Sequence, residues 1–431
     1  MTERYPDPTQ IDEQLLDNLL KLPDGNTIDL EWIEKNVCPE AKSFEIPRSS
    51  VLRGMQANMF KIEITCFVHN TSSTISKDNE IKPPQSVIAK RIVPSELPPK
   101  EDKEKLKQFI ASVRREIDFY KNMMLPMNKP INSLFPTVYT SLSTPRSWDD
   151  TETENTSFLM LLSDLSDEYY QSPSMNEEQT NALMKALSKL HLHFWQRSDI
   201  MTMNRGGFWV LRRRLLYGEL EKANTTWSGV LERFPELHEL NLKNISNIAS
   251  ELVSKAKILD YFVEKKCNTL IHGDAKGWNL FLNKKESDDT QEEIIFIDMQ
   301  WVGKGHPLQD VAYALTTSLD AELLDEMDYF VDFYISCLEM ALANNKNVNV
   351  DIKKIRLEYD LIWLDYIRVI VTGLWKNLDP DRMKRYQTTV GPSMINRSLD
   401  HVKFITKRAH YLLFENRDIA DKLTEIEMEM S

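Results

Sequence analysis

The chain has 431 residues, of which 42% are hydrophobic and 28% charged, and it carries a formal net charge of −13. This length and composition are typical of a globular protein with two lobes or two domains and a sizeable core. The acidic balance argues against nucleic acid as a partner, because binding to a phosphate backbone depends on clustered lysine and arginine.

The first part of the chain is predicted to form short helices and then an antiparallel sheet with one main helix. Leucines at helical spacing predict the helices, and alternating apolar and polar residues predict the strands, two of them joined by a turn at Arg53–Gly54. In chain order the predictions are helices within 10 to 37, two strands within 44 to 68, a strand at 86 to 93, a helix at 100 to 124, and strands at 136 to 142 and 157 to 165.

The second part is predicted to be mainly helical, with a short interruption at 268 to 302 that contains strands around Leu270, Leu280 and 294 to 297. The fold class is therefore α+β: a small antiparallel-sheet lobe and a large helical lobe. We predict an N-terminal helical extension at 1 to 39, an N-lobe at 40 to 162 and a C-lobe at 163 to 431. The predicted helices of the C-lobe are 176 to 196, 207 to 221, 234 to 265, 318 to 345, 352 to 376 and 395 to 428.

A polar cluster lies within the apolar segment "LIHGDAKGWNLFL", residues 270 to 282. Asp298 follows the next short strand, and its carboxylate together with the Asn279 amide provides the hard oxygen ligands that hold Mg²⁺ beside nucleotide phosphates. Asp274 is then free to accept a proton from an acceptor hydroxyl, and Lys276 can supply positive charge to the transferring group. These are the parts that phosphoryl transfer from ATP requires.

The spacing His272-Gly273-Asp274-x4-Asn279, followed by Asp298, resembles the catalytic loop and metal-binding strand of the protein-kinase-like fold. The short motifs "HGD" and "IDMQW", with "GHPLQDVAYAL" at 305 to 315, are similar to the motifs of its small-molecule branch. That branch contains aminoglycoside phosphotransferases, choline kinases and the ecdysteroid-kinase-like group. The resemblance implies a two-lobed fold, ATP and Mg²⁺ as cofactors, and a small hydroxylated molecule as substrate. It covers roughly residues 40 to 400.

The same resemblance implies partners in the first lobe. Lys90 in "VIAKRIV" would hold the nucleotide phosphates, and Glu116 in "RREIDFY" would pair with it. Backbone groups from Leu161 to Ser163 would bind adenine, and the turn containing Gly54 would cover the phosphates. The chain departs from the pattern by having Gly54 alone in that turn, and by having Gln300 where some relatives have a second acidic residue.

Several polar and aromatic residues also have structural interpretations. His272 is predicted to pack and hydrogen-bond the loop, and the resemblance implies that Asp310 braces the loop backbone. The two-residue spacing of His191 and His193 points them apart on a helix and predicts packing rather than a metal site. The aromatic residues Tyr359, Trp363 and Tyr366 share a helix face that is either core or a cage for a cationic substrate, with Asp365 or Asp167 nearby.

The remaining signals concern location and redox state. The four cysteines are far apart and include no CxxC pair, so we expect free thiols, a reducing compartment and no zinc site. The start of the sequence has no signal-peptide pattern, and no apolar run is long enough to span a bilayer. We therefore expect a cytoplasmic protein without a membrane segment. The cysteines are Cys38, Cys66, Cys267 and Cys337.

The sequence thus predicts an ATP- and Mg²⁺-dependent phosphotransferase that acts on a hydroxyl group of a small molecule. A peptide substrate is disfavoured, because "VGKGHPLQD" leads almost directly from Asp298 into the next helix without an activation loop. The alternative is a catalytically silent protein of the same fold that binds a nucleotide or metabolite. An amino alcohol, a sterol-like compound and a sugar all remain open as acceptors, and the oligomeric state is not predicted.

Overall fold

The structure is a computed structural model that describes residues 13–53, 57–66, 84–96, 103–124, 131–144, 156–284, 294–343, 352–381, 383–384 and 398–430. The chain divides into two compact units. The first comprises Met1–Met127 and Phe135–Asp167, and the second comprises Asn128–Leu134 and Glu168–Ser431. Gly54 lies outside the described residues, so its predicted role at the phosphates remains a prediction. The lobe boundaries predicted at residues 39 and 162 also remain predictions.

The first unit is built on an antiparallel sheet. Its strand order is β1-β3-β4-β6-β5, and β2 pairs with β3. Helices α1 and α2 precede the sheet, and α3 lies in the chain between β4 and β5. The elements are α1 Glu13–Leu19, α2 Leu30–Asn36, β1 Ala41–Glu45, β2 Leu52–Arg53, β3 Asn58–Cys66, β4 Ser86–Ile92, α3 Lys103–Asp118, β5 Val138–Thr144 and β6 Ser157–Ser163.

Burial of one side of the sheet explains why these residues form strands. In β3 the side chains of Phe60, Ile62 and Ile64 are buried and alternate with more exposed residues, as expected for a strand with one apolar face. Residues of α1 and α2, including Leu19 and Ile33, belong to the same apolar cluster. The predicted strands and main helix are confirmed. The first of the two strands predicted within 44 to 68 is two strands, β1 and β2, because a helical turn at Arg48–Ser50 separates them.

The second unit is mainly helical, as predicted. Its helices are α4 Glu177–His193, α5 Ser198–Met201, α6 Leu211–Leu215, α7 Glu219–Arg233, α8 Ile248–Lys265, α9 Leu308–Ser318, α10 Met327–Ala343, α11 Ile352–Thr372, α12 Leu399–His410 and α13 Arg417–Met430. Several predicted helices were wrong in extent: the helix predicted at 318 to 345 begins at Met327, and the one predicted at 395 to 428 is two helices, α12 and α13. Gly218, at φ 61°, separates α6 from α7 within the predicted helix 207 to 221. Left-handed Asn241 and Asn244 delay the start of α8 until Ile248.

Two small antiparallel sheets interrupt the helices of the second unit. Their strands are β7 Tyr169–Tyr170, β8 Thr269–Ile271, β9 Leu280–Asn283, β10 Ile294–Phe296 and β11 Gly303–Gly305. One sheet has the order β10-β9-β7, and the other pairs β11 with β8. The loop between β8 and β9 contains the predicted catalytic residues, so two paired strands anchor its ends. Among the described helices, none is both long enough and apolar enough to cross a bilayer.

Candidate active site

The loop after β8 turns sharply at Gly273. This residue has φ +79°, and a side chain there would collide with the backbone of Trp301 and Gly207. Glycine alone satisfies both the left-handed conformation and the close backbone approach. The pairing of β8 with β11 sets this geometry, because Ile271 is the register partner of Gly303, two residues after Trp301. The turn brings Asp274 immediately after the buried strand.

Asp310 at the start of α9 holds the backbone of this turn. Its carboxylate accepts hydrogen bonds from the backbone N–H of His272 at 2.7 Å and of Gly273 at 2.9 Å. His191 lies 3.2 Å from the same carboxylate, and its other ring nitrogen lies 2.8 Å from the hydroxyl of Tyr334. The bracing expected of Asp310 is therefore present. His191 contributes to the packing and hydrogen bonding of the fold, as predicted.

The imidazole of His272 connects the loop to the end of β10. Its Nδ1 accepts a hydrogen bond from the backbone N–H of Asp274 at 3.2 Å, which leaves Nε2 to donate to the carbonyl of Ile297 at 2.9 Å. Both ring nitrogens are thus used within the fold, and the side chain is fully buried. This agrees with the structural role predicted for His272.

Three donors surround the carboxylate of Asp274. The Tyr313 hydroxyl donates to Oδ1, and the Lys276 ammonium lies 3.3 Å from Oδ1 and 3.0 Å from Oδ2. The Asn279 amide donates to Oδ2 at 2.8 Å. Hydrogen bonds from several donors fix the rotamer of a carboxylate. The structure therefore brings Asp274, Lys276 and Asn279 together, as the sequence predicted, and adds Tyr313 to them.

Asn279 and Asp298 are brought to one end of a strand pair. Phe296 is the register partner of Leu280, and the N–H of Ile297 donates to the carbonyl of Asn279 at 3.0 Å, so Asp298 follows at the next position. Both hydrogens of the Asn279 amide are used by Asp274, one on its carboxylate and one on its backbone carbonyl at 2.9 Å. This leaves the amide oxygen as the group that can bind a cation.

Asp298 adopts a left-handed backbone conformation. It has φ 61° and ψ 60°, in the left-handed region that non-glycine residues seldom enter. Such strain is often found where a side chain must be aimed at a ligand. Within the described residues there is no cluster of three or more His, Cys, Asp or Glu for a metal. A site made of one carboxylate and one amide oxygen suits Mg²⁺ that also binds phosphates.

In the first unit, Lys90 and Glu116 form a buried ion pair. The Lys90 ammonium donates to the Glu116 carboxylate at 2.8 Å, and the two side chains are 8% and 0% exposed. Lys90 comes from β4 and Glu116 from α3, so the packing of the helix on the sheet brings them together. The pairing that the resemblance implied is present. Its role in binding phosphates remains a prediction.

The predicted adenine-binding residues lie in a fully paired strand. Strand β6 is flanked by β4 and β5, and Leu161 is the register partner of Ala89 on one side and Thr140 on the other. The N–H of Ser163 donates to the carbonyl of Thr137 at 2.8 Å. The binding of adenine by backbone groups from Leu161 to Ser163 remains a prediction, although the Ser163 N–H is already used within the fold.

The predicted aromatic cage does not form an open site. The guanidinium of Arg408 lies 5.5 Å from the ring centroid of Tyr359 and 5.4 Å from that of Trp363, so an internal cation already covers these rings. Tyr366 instead lies 5.1 Å from Tyr313 between ring centroids. All three cage candidates are at most 1% exposed. The aromatic face on α11 is therefore core, which decides between the two interpretations of the sequence.

Asp365, one of the two acidic residues considered for the cage, is part of an internal ion pair. Asp365 accepts a hydrogen bond from Arg368 at 2.8 Å, and both side chains are buried. Burial raises the pKa of Asp365, although the Arg368 guanidinium opposes the shift. This carboxylate belongs to a sealed ion pair within the fold and has no open side for a substrate cation.

Sequence reasoning missed Tyr313 and the aromatic residues around it. Tyr313 lies in the segment "GHPLQDVAYAL" at 305 to 315, for which the resemblance implies no role of the tyrosine. The ring of Trp209 stacks on that of Tyr313 at 5.1 Å with an interplanar angle of 15°, and Phe208 approaches Tyr313 edge-on at 5.7 Å. The spacing of Tyr313 three positions after Asp310 was the available signal, because residues at this spacing share a helix face.

Comparison with known proteins identifies the family. Residues 53–346 match the model of the ecdysteroid kinase-like family. This is more than half of the 431 residues, so the chain belongs to that family. None of the curated proteins compared matches the chain. The prediction of a small-molecule kinase, an enzyme that phosphorylates an alcohol group, is confirmed at this level.

Solved structures resemble the chain at low identity. A microcompartment-associated aminopropanol kinase has 10% identity and a TM-score of 0.44, and the match covers 88% of this chain and 94% of that chain. Choline kinase from Cryptosporidium parvum has 12% identity and a TM-score of 0.43, with 91% and 96% covered. A spectinomycin phosphotransferase in complex with ADP and spectinomycin has 12% identity and a TM-score of 0.40, with 88% and 97% covered.

Proposed function

We propose that the chain is an ATP- and Mg²⁺-dependent phosphotransferase in which Asp274 orients or deprotonates the hydroxyl of a small-molecule acceptor. The observation that carries the proposal is the arrangement of Tyr313, Lys276 and Asn279 as donors around this one carboxylate. A carboxylate held in this way offers its remaining lone pairs in a fixed direction. This is what positioning an acceptor hydroxyl requires.

The reaction follows from this role. The acceptor oxygen attacks the γ-phosphorus of ATP, the bond to the β-phosphate oxygen breaks, ADP leaves, and the hydroxyl proton passes to Asp274. Lys276 would lower the charge on the transferring group, and Lys90, oriented by Glu116, would hold the other phosphates. Preorganised charges of this kind stabilise a transition state without reorganisation during the reaction.

The donor set fits a divalent cation. The oxygen of the Asn279 amide and the carboxylate of Asp298 would hold Mg²⁺. The amide nitrogen of Asn279 donates to Asp274, which leaves the amide oxygen for the cation. When bound, Mg²⁺ neutralises the negative charge of the phosphates. Gln300 is buried and follows Asp298 by two residues, so the metal strand contributes one carboxylate in this proposal.

For the acceptor we propose a neutral alcohol with an apolar body. The half-buried rings of Phe208 and Trp301 lie near the catalytic loop, where the N–H of Gly207 donates to the Trp301 carbonyl at 2.9 Å. The guanidinium of Arg213 lies 5.5 Å from the Trp301 ring centroid, and such a charge disfavours a cationic acceptor. The name of the family, ecdysteroid kinase-like, agrees with an alcohol of this kind.

The test is a mass-shift assay of MgATP with a panel of sterol-like alcohols, amino alcohols and sugars. Wild type should add one phosphoryl group to a neutral sterol-like alcohol. Asp274→Asn should lower kcat by about 10²–10⁴-fold, the usual contribution of a positioned base. Asp325→Asn, at an exposed aspartate of the same unit, is the matched control and should retain full activity.

Two outcomes would contradict the proposal in different ways. Higher kcat/KM for choline or ethanolamine than for the neutral alcohols would reject the acceptor class but not the reaction. Binding of MgATP by wild type and Asp274→Asn alike, with no product from any acceptor, would favour the alternative of a catalytically silent nucleotide-binding protein.

A further inference from the structure

Helix α9 makes two contacts with the catalytic loop from one face. Asp310 accepts hydrogen bonds from the backbone of His272 and Gly273, and Tyr313, three residues later, donates to the side chain of Asp274. The first contact fixes the path of the loop, and the second fixes the reacting carboxylate. Neither the bracing role of Asp310 nor the loop motif accounts for the second contact.

Tyr313 is well suited to act as a fixed donor. Its side chain is 1% exposed, and the rings of Trp209, Tyr366 and Phe208 pack on it at 5.1, 5.1 and 5.7 Å between centroids. This packing leaves the ring no room to turn away from Asp274. Burial, and then the charge of Asp274, raise the pKa of Tyr313 well above its usual value, so its hydroxyl remains protonated and donates.

We infer that Tyr313 is a positioning residue for phosphoryl transfer, which acts by holding Oδ1 of Asp274 through its hydroxyl. The inference rests on the function proposed above. Lys276 and Asn279 also contact Asp274, but Lys276 is 26% exposed and lies across both carboxylate oxygens. Tyr313 is the rigid donor on Oδ1, as the buried Asn279 is on Oδ2, so the carboxylate keeps one orientation when the ammonium moves to a phosphate.

The test is Tyr313→Phe, which keeps the ring and its stacking but removes the hydroxyl. With MgATP and the best acceptor of the panel, kcat should fall about tenfold or more while KM for ATP remains unchanged. The fall in kcat at constant KM for ATP is expected because the orientation of the Asp274 carboxylate matters in the transition state and not in the binding of ATP. A purely structural role would lower stability without separating kcat from KM in this way.

Tyr359→Phe is the matched control. Tyr359 is also fully buried on a helix of the same unit, and its hydroxyl has no hydrogen-bond partner among the described residues. This variant should keep the wild-type kcat and KM for ATP. A change in Tyr359→Phe equal to that in Tyr313→Phe would overturn the inference, since any loss of a buried hydroxyl would then have the same effect.

A double-mutant cycle in urea makes the result independent of turnover. Tyr313→Phe, Asp274→Ala and the double variant should show coupling, because alanine, unlike asparagine, offers no acceptor to the Tyr313 hydroxyl. Additive effects in this cycle would overturn the inference. If wild type turns over but Tyr313→Phe has the same kcat, the positioning role fails and the proposed function stands. Coupling without any turnover rejects the proposed function and leaves the contact a structural one.

Discussion

The two charged clusters proposed to act on the nucleotide are built in different ways. Lys90 and Glu116 are 26 residues apart in the sequence, and their ion pair exists only because α3 packs on the sheet of the first unit. Asp274, Lys276 and Asn279 lie within six consecutive residues of one loop in the second unit, and the Lys276 side chain is 26% exposed. We refer to the first cluster as sealed and to the second as open, since the Lys276 side chain reaches solvent although Asp274 and Asn279 are buried.

This difference determines which property, stability or activity, a substitution should change. Removing one member of a buried ion pair leaves an uncompensated charge inside the protein, so stability falls together with function. Removing a partly exposed member of a local cluster costs little stability, because water replaces the lost partner. Loss of activity in a loop variant therefore reports on function. In a variant of the buried pair it can also come from lost stability, so stability and activity must be measured separately there.

The largest effect is expected at the buried pair. Lys90→Met and Glu116→Leu should each lower the free energy of unfolding by about 3–5 kcal/mol, because each removes the 2.8 Å ion-pair contact from a charge that stays buried. The double variant should regain most of that stability, since it buries two apolar side chains. Chemical denaturation of the three variants measures this.

Turnover of MgATP separates structure from chemistry in the same variants. If Lys90 holds the phosphates, the double variant is stable but inactive. Recovery of wild-type kcat and KM for ATP in the double variant would show that the pair serves only the fold. Equal stability of both single variants and wild type would remove the contrast between the sealed and the open cluster.

A smaller effect is expected at the open cluster. Lys276→Met should change the free energy of unfolding by less than about 1 kcal/mol and lower kcat about tenfold, because the charge near the transferring group is lost. Lys304→Met is the matched control, since Lys304 is similarly exposed at 21% and pairs with Glu264 at 2.9 Å. Stability from urea titration and kcat from ADP release give the comparison. A stability loss as large as that of Lys90→Met would contradict it.

The smallest effect concerns Asp118, two residues after Glu116 on α3. Burial raises the pKa of Asp118 to about 6, against the opposing charges of Lys121 and Arg114. Because the folded-state pKa lies above the ordinary aspartate value of 3.8, the protonated carboxyl contributes stability at low pH that is lost as pH rises through about 6. Asp118→Asn should therefore be more stable than wild type above pH 6, by about 1 kcal/mol after screening by solvent.

Urea titrations at pH 4, 6 and 8 measure the Asp118 effect, with Asp325→Asn as an exposed control. A difference between wild type and Asp118→Asn that does not grow with pH would show that solvent reaches this carboxylate freely. The result would sharpen the contrast between the clusters, because it measures how strongly the environment of α3 penalises a charge that lacks a buried partner such as Lys90.

Much of the loop could be predicted from the sequence because its chemistry is local. Gly273 is required by the turn, and Asp274, Lys276 and Asn279 are too close in the chain to separate widely, so their order and residue types already indicate their assembly. The small strands around Leu280 and 294 to 297 were also predictable from short apolar runs. Their register brings Asn279 and Asp298 to the same end of the pair.

Other features depend on contacts between residues far apart in the sequence. The aromatic residues of α11 have the same helical spacing whether they line a cage or fill a core, and only the position of Arg408 over Tyr359 and Trp363 decides between them. The position of β6 between β4 and β5 likewise depends on pairing between strands far apart in the sequence.

The sequence by itself determined the mixed α+β fold, the family and the loop that contains Asp274, because periodicity and short-range spacing encode them directly. Only the tertiary structure decided which buried groups have partners. Tyr313 reaches Asp274 across 39 positions, and Asp310 reaches the backbone of the same loop from α9. Such contacts arise when a helix packs against a loop, and a one-dimensional pattern does not contain the orientation that packing imposes.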